Sequence, residues 1–192
     1  MNKGRLEAFS DGVLAVIITI MVLEMKSPHE PTLAALRPVI PVLLTYLLSF
    51  VYVAIYWNNH HHFFRLVPHV GGAVMWANLN LLFWLSLIPF TTAWMDEHVS
   101  SPVPVAVYGA SLLLCAVSWY AMQATIVWAQ GPASPLRQAI GPDLKGKLSS
   151  IVYLIAMLLA FVAPILAYTC YAAVAMWWLV PDRRVEAALS RR

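Results

Sequence analysis

The chain has 192 residues, 61% of them hydrophobic and 11% charged, with a mean hydropathy of +0.72. Soluble domains carry roughly 25% charged residues, so this composition describes an all-α integral membrane protein with no room for a soluble catalytic domain. The net charge of +3 comes from basic residues scattered through short loops, which reports orientation in a bilayer and argues against a nucleic-acid-binding face.

The first apolar stretch runs from Arg5 to Met25, RLEAFSDGVLAVIITIMVLEM. At about 1.5 Å per residue it crosses the roughly 30 Å hydrocarbon layer. Lys3 and Arg5 ahead of an apolar run imitate a signal peptide. However, Asp11 interrupts the run, Glu24 and Lys26 close it, and no small-x-small cleavage pattern follows, so a retained helix is expected. Pro28, Pro31, Pro38 and Pro41 then mark a short external loop.

A second span is predicted from about Pro41 to Phe64, closed by Arg65 and a turn at Pro68, Gly71 and Gly72. The third, about Ala73 to Met95, has Asn78 and Asn80 near its start and Pro89 near its end. Asp96 to Pro104 is an acidic loop, Val105 to Trp128 a fourth span, and Gln130 to Lys147 the longest polar segment. Leu148 to Val180 is too long for one helix. Pro164 divides it into a fifth span and a short sixth, Ile165 to Val180. The expected organisation is a six-helix transmembrane domain over 1–182 and a basic cytoplasmic tail over 183–192.

Six spans put both ends on one side. That side holds Lys3, Arg5, Arg65, Arg137, Lys145, Lys147, Arg183, Arg184, Arg191 and Arg192, ten of the twelve basic residues, against Lys26 and Arg37 on the other. The positive-inside rule makes both termini cytoplasmic. Cys115 and Cys170 fall inside apolar spans without metal-type spacing and read as buried thiols.

Arg5 and Asp11 open helix one, His60 ends helix two and Asn78 starts helix three, all near the cytoplasmic face. An ionised Asp in a bilayer is costly unless paired, and guanidinium, imidazole and carboxamide are suitable partners. A buried network of Arg5, Ser10, Asp11, His60 and Asn78 is therefore expected to lock helices one, two and three. The competing reading has Arg5 snorkelling to lipid phosphates and Asp11 in an exposed first turn. His60, His61 and His62 invite a metal site, but consecutive helical residues point about 100° apart and cannot all ligate one ion.

On helix one, Gly12, Val16, Thr19 and Leu23 form a stripe at spacings of four, three and four, with Ile20 beside it. The stripe is either a packing face or, if several copies surround an axis, a narrow hydrophobic constriction with one hydroxyl ring. Periodicity leaves both open.

Arg5-x-x-x-Phe9-Ser10-Asp11 resembles the RxxxFSD signature that opens helix one in the transmembrane protein 175 family, the lysosomal and endosomal potassium channels and their bacterial relatives. Trp57, His60 and Phe64 resemble the family's W-x-x-H-x-x-x-F at the end of helix two, and Asn78 followed eleven residues later by Pro89 resembles its third helix.

The resemblance implies a bacterial-type homotetramer in a cell membrane, with helix one lining a central pore that lacks the TVGYG filter of ordinary potassium channels. It places the pore positions on Val16, Thr19 and Leu23, the stripe already found. It also implies potassium as the permeant ion, no cofactor, and no partners other than the bilayer, monovalent cations and further copies of the chain. Potassium holds its water less tightly than sodium, so an apolar ring that forces partial dehydration should pass potassium more readily.

Two other readings stay open. One is a small proton-coupled carrier with Asp11 and His60 as a titrating relay, although no inverted repeat or broken-helix pair is visible; the other is a membrane scaffold. An enzyme is the least favoured reading, since the sequence offers no nucleophile with a base, no phosphate loop and no credible metal cluster.

Overall fold

The computed structural model describes residues 2–131, 134, 136–137, 141 and 143–180, and the basic tail expected over 183–192 lies outside them. Helix α1, Lys3–Leu23, starts where the Asn2 side chain accepts a hydrogen bond from the Gly4 N–H at 3.0 Å, filling one of the donor positions a helix start leaves open. After it the chain makes a short 3-10 turn, Leu33–Leu36, capped by Thr32. Helix α2, Val39–Arg65, then begins two residues earlier than Pro41 suggested. Pro41 fits in its first turn, where the missing N–H has no intrahelical partner to lose.

The third span is broken. Helix α3, Gly72–Ser86, and helix α4, Ile88–Glu97, meet at Leu87, because Pro89 cannot donate to the carbonyl of Leu85 and its ring crowds that turn. Helix α5, Pro102–Gln130, carries Pro102 and Pro104 in its first turn and ends at Gly131 with φ of 78°, a left-handed value that favours glycine. Helix α6, Leu144–Ala160, begins four residues before Leu148, since the Asp143 side chain accepts from the Gly146 N–H at 3.2 Å and caps it. Lys145 and Lys147 are thus in a first turn and not in a loop. Helix α7, Pro164–Leu179, starts on the proline expected to divide the last apolar stretch.

Lys3–Leu23, Val39–Arg65, Gly72–Glu97 and Pro102–Gln130 are long and apolar enough to cross a membrane. Helices α6 and α7, with 17 and 16 residues, reach roughly 25 Å each. Counting α3 and α4 as one broken span gives, among the described residues, the six segments expected.

Helix α5 is the hub, packing against α3, α4, α6 and α7, while α1 lies on α2, α3 and α4. The central layer is aromatic, with Tyr52, Tyr108 and Tyr171 fully buried. Each hydroxyl finds a partner inside the protein, as a polar group in hydrocarbon must. Tyr52 donates to the Tyr171 carbonyl at 2.6 Å, Tyr171 to the Val105 carbonyl at 3.1 Å, and the Tyr108 hydroxyl pairs with Ser49 at 3.0 Å. Among the described residues no buried side-chain nitrogen or oxygen lacks a hydrogen bond.

Tyr171 reaches α5 only because residue 109 has no side chain. A Cβ on Gly109 would overlap the Tyr171 hydroxyl and lie 2.9 Å from Met157 Cγ, whereas one on Gly71 would meet nothing within 4 Å. Gly109→Ala should therefore destabilise the protein by about 1–3 kcal/mol through overpacking and lower the melting temperature of the detergent-purified protein, with Gly71→Ala close to neutral.

Candidate functional site

Helix α1 has two unlike faces. Leu6, Ser10, Leu14, Ile17 and Met21, at spacings of four, four, three and four, are buried against α2, α3 and α4. The opposite side carries the stripe Gly12, Val16, Thr19 and Leu23 with Ile20 at its edge, all exposed: Val16 at 54%, Ile20 at 41% and Leu23 at 80%. The described residues of one subunit therefore leave the stripe largely uncovered. The Thr19 hydroxyl donates to the Val16 carbonyl at 2.8 Å. With its hydrogen held by the helix, its oxygen keeps its lone pairs free to accept or to meet a cation.

Behind the stripe, three of the five residues expected in one network form a continuous chain of donors. Ser10 Oγ donates to the Leu6 carbonyl at 2.9 Å, Asn78 Nδ2 donates to Ser10 Oγ at 3.0 Å, and His60 Nε2 lies 2.9 Å from Asn78 Oδ1. Because Asn78 uses its nitrogen toward Ser10, its oxygen is the acceptor, and the His60 hydrogen sits on Nε2. All three are buried, and the His60 ring lies 4.4 Å from that of Phe64, itself fully buried. One residue each from α1, α2 and α3 is joined at membrane depth.

Asp11 is elsewhere. It is exposed and accepts from Trp57 Nε1 at 3.0 Å, a second and separate link between α1 and α2. Phe9 is 56% exposed, and among the described residues Arg5 has no hydrogen-bond or ion-pair partner. The histidine run diverges as helical geometry requires: His60 faces the core, His61 is exposed, and His62 bonds the Asn58 carbonyl of its own helix at 2.7 Å.

A further polar set was not foreseen. Toward the other end of α2, Thr45 bonds Asp96 and Ser49 bonds Thr92 at 2.7 Å as well as Tyr108, while Thr91 pairs with Ser111 at 3.2 Å. This set joins α2, α4 and α5. Its signal was the series Thr45, Ser49, Tyr52, Tyr56, His60, a polar-tipped stripe at helical spacing along the whole of α2.

The sequence profile of the family described as the endosomal/lysosomal potassium channel TMEM175 matches residues 5–89, the interval from the RxxxFSD arginine to the proline of the broken span. A protein of Chryseobacterium sp. (strain P1-3) named a potassium channel is 48% identical over 98% of both chains. The chain belongs to the TMEM175 family.

Another relative, a protein of Chamaesiphon minutus named a potassium channel, is 36% identical over 60% of this chain and 62% of its own. The crystal structure of a lysosomal potassium-selective channel TMEM175 homolog from that organism superposes with a TM-score of 0.80 at 29% identity, covering 94% of this chain and 97% of the other. The mouse relative, named an endosomal/lysosomal proton channel, is 24% identical over 66% of this chain and only 26% of its own length. The TMEM175 family is one of ion channels and not of enzymes.

Asn78 is the joint of the three-helix chain. Asn78→Leu leaves the His60 Nε2 hydrogen buried without an acceptor and should cost about 1–3 kcal/mol, lowering the melting temperature of purified protein. Trp57→Phe removes a bond to an exposed carboxylate and should cost less, about 0.5–1.5 kcal/mol.

Proposed function

We propose that this TMEM175-family protein is a potassium-preferring cation channel of a bacterial cell membrane, a homotetramer in which the α1 stripe of each subunit lines the pore. The observation that carries this reading is the outward stripe itself. Val16, Thr19, Ile20 and Leu23 stand on the face of α1 opposite the one held by Ser10, Leu14, Ile17 and Met21. A face turned only to lipid would not gain from Gly12 or from a threonine hydroxyl. Around an axis, the small residue lets helices approach and the hydroxyl oxygen offers a ligand.

Val16 and Leu23 form two apolar rings with Thr19 between them. The channel needs no cofactor, and potassium is the permeant ion, favoured because the rings strip part of the hydration shell and sodium gives up its water at greater cost. The chain of Ser10, Asn78 and His60 with the Asp11–Trp57 bond holds α1 at a set rotation, so that the rings keep their radius. Arg5 lies about 10° from the centre line of the stripe by helical angle, without a hydrogen-bond or ion-pair partner among the described residues of its own subunit, and so is placed to meet a neighbouring copy. Both termini are cytoplasmic, as the distribution of Lys and Arg favours.

The proton-coupled relay gains no support from the geometry, since Asp11 bonds Trp57 while His60 bonds Asn78. Flux measurements on protein reconstituted in liposomes test the channel. Potassium flux is expected to exceed sodium flux, Leu23→Ala and Val16→Ala to lower the ratio severalfold, and Thr19→Ala to lower potassium flux. Native mass spectrometry should give four times the 21.4 kDa of one chain. Unselective flux unmoved by these substitutions would remove the stripe from the pore.

A further inference from the structure

Away from α1, a cavity of about 480 Å³ opens between α2, α5, α6 and α7, within the roughly 300–1,000 Å³ range of ligand sites. No residue of α1 lines it. Its walls include Ile55, Tyr56, Val117 and Ile151, and it runs from Asn59 and Lys147 inward to Tyr52 and Tyr153. The seven residue steps along α2 from Asn59 to Tyr52 make that depth roughly 10 Å. A neighbouring depression of about 630 Å³ shares Tyr120, Asp143 and Lys147 with it and adds Arg137.

The slot and the depression beside it together hold Asp143, Lys147 and Arg137, one more cation than anion. Asp143 is engaged: one carboxylate oxygen caps α6 through the Gly146 N–H, and the other accepts from the Gln123 amide at 3.1 Å once that amide is oriented so that its oxygen accepts from Trp119 Nε1 at 2.9 Å. Lys145 donates to the Val180 carbonyl at 2.8 Å and lies 4.5 Å from the centre of the Trp178 ring. Lys147 and Arg137 are exposed, and among the described residues neither makes an ion pair. Lys147 thus stands at the mouth of an apolar slot and Arg137 in the depression that adjoins it, at the end of the helices where most of the Lys and Arg lie.

We propose that this slot holds one acyl chain of an anionic phospholipid, with Lys147 and Arg137 on its phosphate. Basic residues beside a gap between membrane helices, on the side where anionic lipid is enriched, recognise such headgroups. A zwitterionic lipid would fill the slot equally well and offers the same phosphate, but its headgroup cation cancels the net attraction to the two side chains.

The test is native mass spectrometry of the full-length protein, reconstituted with equal amounts of phosphatidylglycerol and phosphatidylcholine and then stripped stepwise of loosely held lipid. Retention of phosphatidylglycerol should exceed that of phosphatidylcholine severalfold. Val117→Trp and, independently, Ser150→Trp obstruct the slot and should lower retention of both lipids. Lys147→Gln with Arg137→Gln should abolish the preference and leave phosphatidylcholine retention as it was. Each variant is first checked for an unchanged oligomer and melting temperature, so that loss of lipid is not loss of fold. Equal retention of the two lipids by the unaltered protein, or retention unmoved by either the obstructing or the charge substitutions, overturns the proposal.

Discussion

Hydrocarbon offers no hydrogen bonds, so every buried polar group in this chain must be met by another from the same protein, and that constraint sets the rotation of each helix. Ser10 has 0% exposure because its oxygen must reach both the Leu6 carbonyl and the Asn78 amide. Once Ser10 is turned inward, the residues about half a turn away, Gly12, Val16, Thr19 and Leu23, are turned outward. The outward stripe follows from the inward clamp, and a substitution in the clamp acts on the stripe without touching it.

The same constraint accounts for the second polar set. Pro89 breaks the third span and frees backbone groups within it. Close to that break, Thr91 donates back to its own helix and pairs with Ser111 of α5, and Thr92 meets Ser49 of α2. A kink in a lipid-facing helix would expose unpaired groups; here the broken span is held between α2 and α5 by hydroxyls. The two proline-initiated helices, α5 and α7, place their prolines where no bond is lost, so each proline acts as a boundary and not as a defect.

Hydropathy and proline placement made the spans legible, including the division at Pro164, because length and breakers are properties of single segments. The family was legible from Arg5, Phe9, Ser10, Asp11, Trp57, His60, Phe64, Asn78 and Pro89. The partners were harder. One network was expected to take in both Ser10 and Asp11, yet adjacent helical residues point about 100° apart, and Arg5 stands about 140° from Ser10. If Ser10 faces Asn78, neither charged residue can. Asp11 instead reaches Trp57 at the side of the helix pair. The α6 start at Leu144 was missed for a local reason: polar Lys145 and Lys147 read as loop until Asp143 is recognised as the cap.

The restraints on α1 are also uneven along its length. Its N-terminal half is fixed by the Ser10, Asn78 and His60 chain and by Trp57, four side chains whose bonds are directional. Its C-terminal half is held by Ile17 and Met21 through packing alone, and the Lys26–Glu97 ion pair beyond it, at 3.8 Å with both groups largely in water, contributes little. Apolar packing resists compression but tolerates sliding and small rotations more readily than a hydrogen-bonded chain does. The ring proposed at Val16 therefore lies nearer the clamped end of the helix and the ring proposed at Leu23 at the compliant end. A constriction that selects by partial dehydration depends on its radius, so in the proposed tetramer the subunit fold would restrain the Val16 ring more than the Leu23 ring, whose radius would depend more on how neighbouring copies of α1 press together.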